Sequence, residues 1–435
     1  MPGSEGSDGS DAVDVQPSAA ERRVLDALDE PELVETLVEL VRVPSVTGSD
    51  AESDLQHTVA RWLEEAGLEV DVWALDLDEL LADPEFPGSE APRLEGHGVV
   101  GTASGAGEPA LVLQGHVDVV PVGDITNWPD AQPFSARIDN GLLHGRGACD
   151  MKAGLAVNLA VARALYRSGV RTERRLALHS VVSEEDGGLG AFATLRRGHR
   201  GEVAVITEPT SGRLITANAG ALTFRIEVAG RAAHGSTRHE GVSALEAFWP
   251  VHLALRELEA ARNADRDALF GDNPLPYGIS VGTVHTGDWA SSVPDLLVAE
   301  GRFGVALHET PAQARAAFED CVSRACADDD FLATNPVHVQ WWGGQFAPGR
   351  SHDAAFLRTL QRAHHEAEPG ARPQEVYGAP YGSDLRLLAP HMPTLQYGPG
   401  DTRDAHAPDE CVLSDDVRTA TRALALLYLT HCGIV

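Results

Sequence analysis

Two rhythms of apolar residues divide the chain. Up to about residue 208, helices with one apolar face alternate with short, wholly apolar runs. Helical patterning begins near Glu21. Pro31 stands where a second helix can start, and Leu33, Leu37, Leu40 and Val41 then fall on one face. A further helix is predicted over 51–66, with Leu55, Val59, Trp62 and Leu63 inward and Gly67 as its stop. LEVDVW alternates as a strand, whereas LVLQGH, LALHSVV and VAVIT read as buried parallel strands. Helices over 154–168 and 188–197 fall between them. This alternation predicts an α/β layered domain.

After Glu208 the texture changes. In ALTFRIEVAG, Leu222, Phe224, Ile226 and Val228 face one way and Thr223, Arg225 and Glu227 the other. A strand with one wet face belongs to an antiparallel sheet. Helices follow over 242–262 and 311–327, with strands near 277–284, 296–307 and at VHVQWW. A smaller domain of sheet plus two helices is therefore expected over 213–342, inserted into a first domain made of 21–212 and 343–435. The last helix is expected to start after Ser414 as N-cap and to end before Gly433. There is no internal repeat and no nucleotide-binding loop of the Walker or Rossmann type.

Length and composition agree with two domains: 435 residues exceed one ordinary core, and 43% are hydrophobic. No run approaches the about 18 apolar residues of a membrane span. Residues 1–20 are acidic and rich in Gly and Ser, without the basic and apolar stretches of a signal peptide, so a disordered tail is expected. The net charge of −31 argues against nucleic acid and anionic membranes as partners. Lys152 is the one lysine. The five cysteines are scattered, with no CxxC pair, which fits a reducing cytoplasm.

Five short segments carry chemistry. In GHVDVVP, His116 and Asp118 are two apart on a strand, so they point the same way. Asp118 can then accept the far ring N–H of a metal-bound His116 and fix its tautomer. In GRGACDMKAG, small residues surround Asp150 just before a helix; its two oxygens can bridge two ions. In VVSEEDGGLG, Glu184 and Glu185 stand at the C-terminal end of an apolar strand, where catalytic groups of α/β sheets collect. Adjacent carboxylates repel unless a cation lies between them. One can bind metal while the other faces a metal-activated water as general base. ITEPT places Glu208 after another apolar strand, and DAHAPDE places His406 in a polar loop. Each segment has a bland reading on its own: a satisfied strand histidine, an N-cap aspartate, a solvated acidic turn. Together they suggest two divalent ions, whose four positive charges would meet Asp150, Glu185, Glu208 and a hydroxide. Imidazole and carboxylate ligands suit zinc, with cobalt or manganese as alternatives.

These segments, with GRAAHGSTRHEGVSALE and VPDLLVAEGR, stand in the order found in the M20 metallopeptidase family, which the chain resembles over about residues 30–432. The family includes deacylases of the acetylornithine deacetylase, succinyl-diaminopimelate desuccinylase and aminoacylase type, and peptidases. The resemblance implies a zinc-peptidase catalytic domain with a mixed, mainly parallel sheet between helices, carrying an inserted two-layer α+β lid and dimerisation domain. It implies metal ligands His116, Asp150, Glu185, Glu208 and His406, with Asp150 bridging and Glu185 and His406 completing one site. Whether His116 and Glu208 share an ion stays open. Glu184 would be the base and Asp118 would orient His116. The peptide after Asp150 is often cis in the family. His234 matches a lid histidine that reaches the partner's site in a homodimer. Arg302 matches an arginine that holds a substrate carboxylate, and Ser383 lies in a substrate loop.

Three departures stand out: Ser292 where many members have Asn, Arg238 where Pro is common, and a long Pro-rich stretch over 76–96. The expected activity is cleavage of a small N-acyl amino acid or N-acyl amine. The alternatives are a dipeptidase or carboxypeptidase of the same family, and a silent binding or scaffold homologue, which should have lost a ligand or the base.

Overall fold

The computed structural model describes residues 17–370 and 373–435. Most of the tail expected over 1–20 lies outside the described residues. Its last residues are helical: Ala19–Asp26 starts at Ser18, which forms a reciprocal capping box with Glu21.

Among the described residues, one large sheet has nine strands. Its centre is parallel: Leu176–Val181, Leu111–His116, Val203–Ile206 and Thr394–Gln396 lie side by side. Glu69–Ala74 and His97–Thr102 extend one edge in antiparallel pairing. Leu214–Asn218 and its neighbours Gly349–Arg350 and Val376–Ala379 extend the other. The central strands are buried along their whole length, which is why they read as unbroken apolar runs. Helices Glu30–Arg42, Asp50–Glu65, Ala153–Ser168 and Ser414–Cys432 share one core with the sheet. Among the described residues no helix is long and apolar enough to cross a membrane.

A second sheet is antiparallel, in the order Ile279–Thr286, Leu296–Val305, Gly220–Ala229, His338–Phe346. Helices Ala244–Asn263 and Pro311–Ala327 cover one face. Leu222, Phe224, Ile226 and Val228 are wholly buried there, against Phe248, Val251 and Phe318. The chain enters and leaves this sheet side by side, since Ala221 pairs with Phe346.

Three local expectations need correction. Leu214–Asn218, which the texture change at 213 assigns to the second unit, hydrogen-bonds in the large sheet; both its faces are buried, unlike the half-wet strand that follows. The second sheet also runs past 342, to Phe346. Ser414 does not cap the last helix; its hydroxyl donates to the Gly141 carbonyl. Helix Ala354–Ala367 has a clear apolar face but no place in the sequence reading.

Candidate active site

The four central strands end at one edge of the large sheet. His116 is the last residue of its strand. Leu176–Val181 leads through Val182 and Ser183 to Glu184 and Glu185, and Val203–Ile206 leads through Thr207 to Glu208. Thr394–Gln396 runs into the loop that carries His406. Asp150 arrives from an irregular turn, Ala148–Lys152, in which the Asp150–Met151 peptide is cis. The following helix packs close against the Glu208 strand end: a Cβ at Gly154 would lie 1.9 Å from the Thr207 carbonyl oxygen.

The side chains form two groups that share Asp150. His116 Nε2 lies 3.4 Å from Asp150 Oδ1 and 3.6 Å from Glu208 Oε1. His406 Nε2 lies 3.5 Å from Asp150 Oδ2 and 3.2 Å from Glu185 Oε2. Glu184 joins the first group, with ligand atoms of His116, Glu184 and Glu208 all within 4.8 Å of one another. His116, Asp150 and Glu185 satisfy the same limit.

This set fits divalent cations. His116 Nε2 and Glu185 Oε1 are buried and have no hydrogen-bond partner among the described residues. Buried polar atoms without partners are costly, and an ion between them would remove that cost. Proton affinities agree. Burial opposes charging His116, yet the Asp118 and Asp150 carboxylates raise its pKa well above the usual imidazole range. Hydrogen bonds to Asp150 and Glu185 raise His406 to about 11. Burial, with Asp384 beside Glu184 and Asp150 beside Glu208, pushes both glutamates well above the usual carboxylate range. Burial likewise raises Glu185. A cluster that draws protons so strongly is short of positive charge.

Asp118 is placed differently from the expectation. The His116 ring Nδ1 donates to the Asp118 backbone carbonyl at 2.9 Å, while the carboxylate Oδ1 is 3.5 Å away. The carboxylate instead accepts the backbone N–H groups of Glu184 and Glu185, each at 3.2 Å, and the Thr47 hydroxyl at 2.9 Å. One residue thus steers both the imidazole and the paired glutamates.

A buried pair that sequence reasoning misses ties the two distant parts of the site together. Glu410 accepts the N–H groups of Cys149 and Asp150, at 3.0 and 3.1 Å, and pairs with Arg146 at 2.5 Å. Arg146 also donates to the His406 carbonyl at 3.1 Å. Both residues stand inside the segments GRGACDMKAG and DAHAPDE, but nothing local in the sequence says that they meet. Asp384 escapes it as well; it is buried and accepts from the Gln114 side chain at 2.9 Å.

The acids open onto a cavity of about 500 Å³ lined by Asp150, Glu184, Glu185, Glu208 and His406. Arg302, Ser383, Phe346 and Tyr381 line it too. Ser383 is buried; its hydroxyl accepts from the Leu385 N–H and its carbonyl from Arg386. His234 does not join this cavity. It is exposed, at the entrance to the turn Gly235–Glu240, with Nδ1 bonded to the Ser236 hydroxyl at 2.8 Å. A larger concavity of about 750 Å³ beside that turn, lined by Gly235, Arg238 and Ser292, shares no residue with the first.

Comparison with known proteins places these features. The N-formyl-4-amino-5-aminomethyl-2-methylpyrimidine deformylase of Bacillus subtilis is 27% identical over 92% of this chain and 94% of its own. The fold matches that of the di-peptidase Dug1p from Saccharomyces cerevisiae, with a TM-score of 0.75 at 16% identity, covering 95% and 98% of the two chains. It also matches a dinuclear metal-binding peptidase of the M20 family from Bacillus subtilis, with a TM-score of 0.59 at 17% identity, covering 93% and 99%. Residues 112–430 match Peptidase family M20/M25/M40, and the chain belongs to that family as a metal-dependent hydrolase.

Proposed function

We propose that the protein hydrolyses the amide bond of a small N-acyl amine or N-acyl amino acid, with two divalent ions at the sheet edge. The observation that carries this reading is the pair of imidazole–carboxylate groups sharing Asp150. His116, Glu208 and one Asp150 oxygen would hold one ion; His406, Glu185 and the other oxygen would hold the second. Zinc suits this mixture of nitrogen and oxygen donors. Such ions, when bound, polarise the carbonyl and make water more acidic.

Glu184 is the remaining acid and acts as general base. It takes a proton from the attacking water as the C–O bond forms, and returns it to nitrogen as the C–N bond breaks. Asp118 positions His116 and the Glu184–Glu185 backbone. Arg302 and Ser383 bound the substrate cavity. The similarity to a named deformylase supports an acyl group as the part removed.

His234 is proposed to act from a second copy, since it stands outside its own cavity with Nε2 free to donate. The unit from 220 to 346 offers an interface: Leu245, Trp249 and Leu253 are exposed along one helix, beside an edge strand. The five free cysteines support a cytoplasmic setting.

Glu184→Gln is expected to retain metal, measured by elemental analysis, while kcat on N-formyl and N-acetyl substrates falls by about 10²–10⁴. Near-normal turnover would remove Glu184 from the base role. Including dipeptides in the same panel separates deacylase from peptidase.

A further inference from the structure

Among the described residues, Arg302 is the one arginine or lysine lining the cavity, and it already faces an acid. Glu90 Oε1 lies 3.6 Å from the Arg302 Nη1. That acid comes from the Pro-rich stretch over 76–96, which joins two strands of the large sheet and on its way touches the second sheet. Glu90 is also held in place. Its Oε1 accepts the Thr223 hydroxyl at 2.7 Å and the Gly344 N–H at 3.3 Å. The backbone around it is pinned by Asp186, whose Oδ2 accepts the Ser89 hydroxyl and the N–H groups of Glu90 and Ala91 at 2.8–3.0 Å. The strap lies tight on the second sheet: a Cβ at Gly88 would sit 2.1 Å from the Gly343 carbonyl oxygen.

We propose that the site selects N-acyl amines that carry no carboxylate beside the scissile amide, with Glu90 as the residue that sets this preference. A substrate carboxylate would need Arg302 as its partner. It would have to share that guanidinium with a fixed Glu90. Like charges brought together lower affinity and so reject a ligand that carries the same charge. Phe346 also lines the cavity, and its ring holds the Arg302 guanidinium at 5.3 Å and the Arg386 guanidinium at 3.9 Å.

This inference rests on the amide-hydrolase reading above, and the test separates the two. N-formylbenzylamine and N-formylphenylglycine differ only by a carboxylate on the carbon next to nitrogen. Their binding to metal-loaded Glu184→Gln protein is measured by calorimetry, and kcat/KM is measured with the active enzyme, each with and without Glu90→Gln. N-formylbenzylamine is expected to be favoured by about tenfold or more in both readouts. Glu90→Gln is expected to raise the phenylglycine-to-benzylamine ratio by about tenfold. Equal or better use of the phenylglycine compound by the unaltered chain overturns the proposal. So does a ratio that Glu90→Gln leaves in place, or a failure of both compounds to bind. Selective binding without turnover sinks the hydrolase reading and leaves the selectivity standing; turnover without selectivity does the reverse.

Discussion

The two sheets handle acidic residues in opposite ways. At the end of the large sheet, Asp150, Glu184, Glu185 and Glu208 converge with two histidines, and among the described residues no arginine pairs with them. In the second unit several acids are matched by arginines of the chain itself. Arg225 bonds both Glu227 and Glu300 at 3.0 Å, and Arg262 grips Glu309 with two nitrogens. The first arrangement leaves its acids without arginine partners; the second pairs them as folded. The unpaired acids at the sheet edge leave room for a cation that the arginine-paired ones do not.

This contrast can be broken at its strongest point. Arg146→Ala leaves Glu410 buried without its partner, beside the Asp150 turn. Burial already raises Glu410 to about 7 despite Arg146. Removing one member of a buried pair costs about 3–5 kcal/mol. Urea unfolding should show that loss, and elemental analysis should show metal depleted; an unchanged denaturation midpoint would mean that the brace carries no weight. A smaller effect is expected from chelation. Ions held at a hundred times their Kd contribute about 2.7 kcal/mol, so stripping them should lower the melting temperature, and zinc should restore it. A melting curve indifferent to chelator would put the acids in the same class as the paired ones. The smallest effect belongs to the second unit. Arg225→Ala removes partly exposed pairs worth about 0–1 kcal/mol and should leave metal content untouched. A larger loss would mean that those pairs do more than match charge.

Much of this contrast is legible in the order of residues alone. Alternation along 222–228 identifies the half-wet strand, and wholly apolar runs identify the parallel centre, because burial on one face or two leaves different local patterns. His116, Asp150, Glu184, Glu185, Glu208 and His406 stand out because they cluster where apolar runs stop or small and polar loops begin. The cross-links do not. Arg146 and Glu410 are 264 positions apart, and Glu90 and Thr223 are 133 apart. Local periodicity holds no record of which loops meet. The role of Asp118 is half legible: its spacing gives the link to His116, but its grip on the Glu184 and Glu185 backbone depends on a neighbouring strand. The boundary at 213 fails for a related reason, since Leu214–Asn218 owes its place to partners from the far end of the chain.

The pairing of Ala221 with Phe346 has a consequence of its own. Paired strands lie about 4.8 Å apart, a gap that a tight turn of two residues spans. A designer could therefore cut the chain at these neighbours and exchange everything between them as a cassette. The roof over the pocket could then be traded while the acidic floor stayed in place.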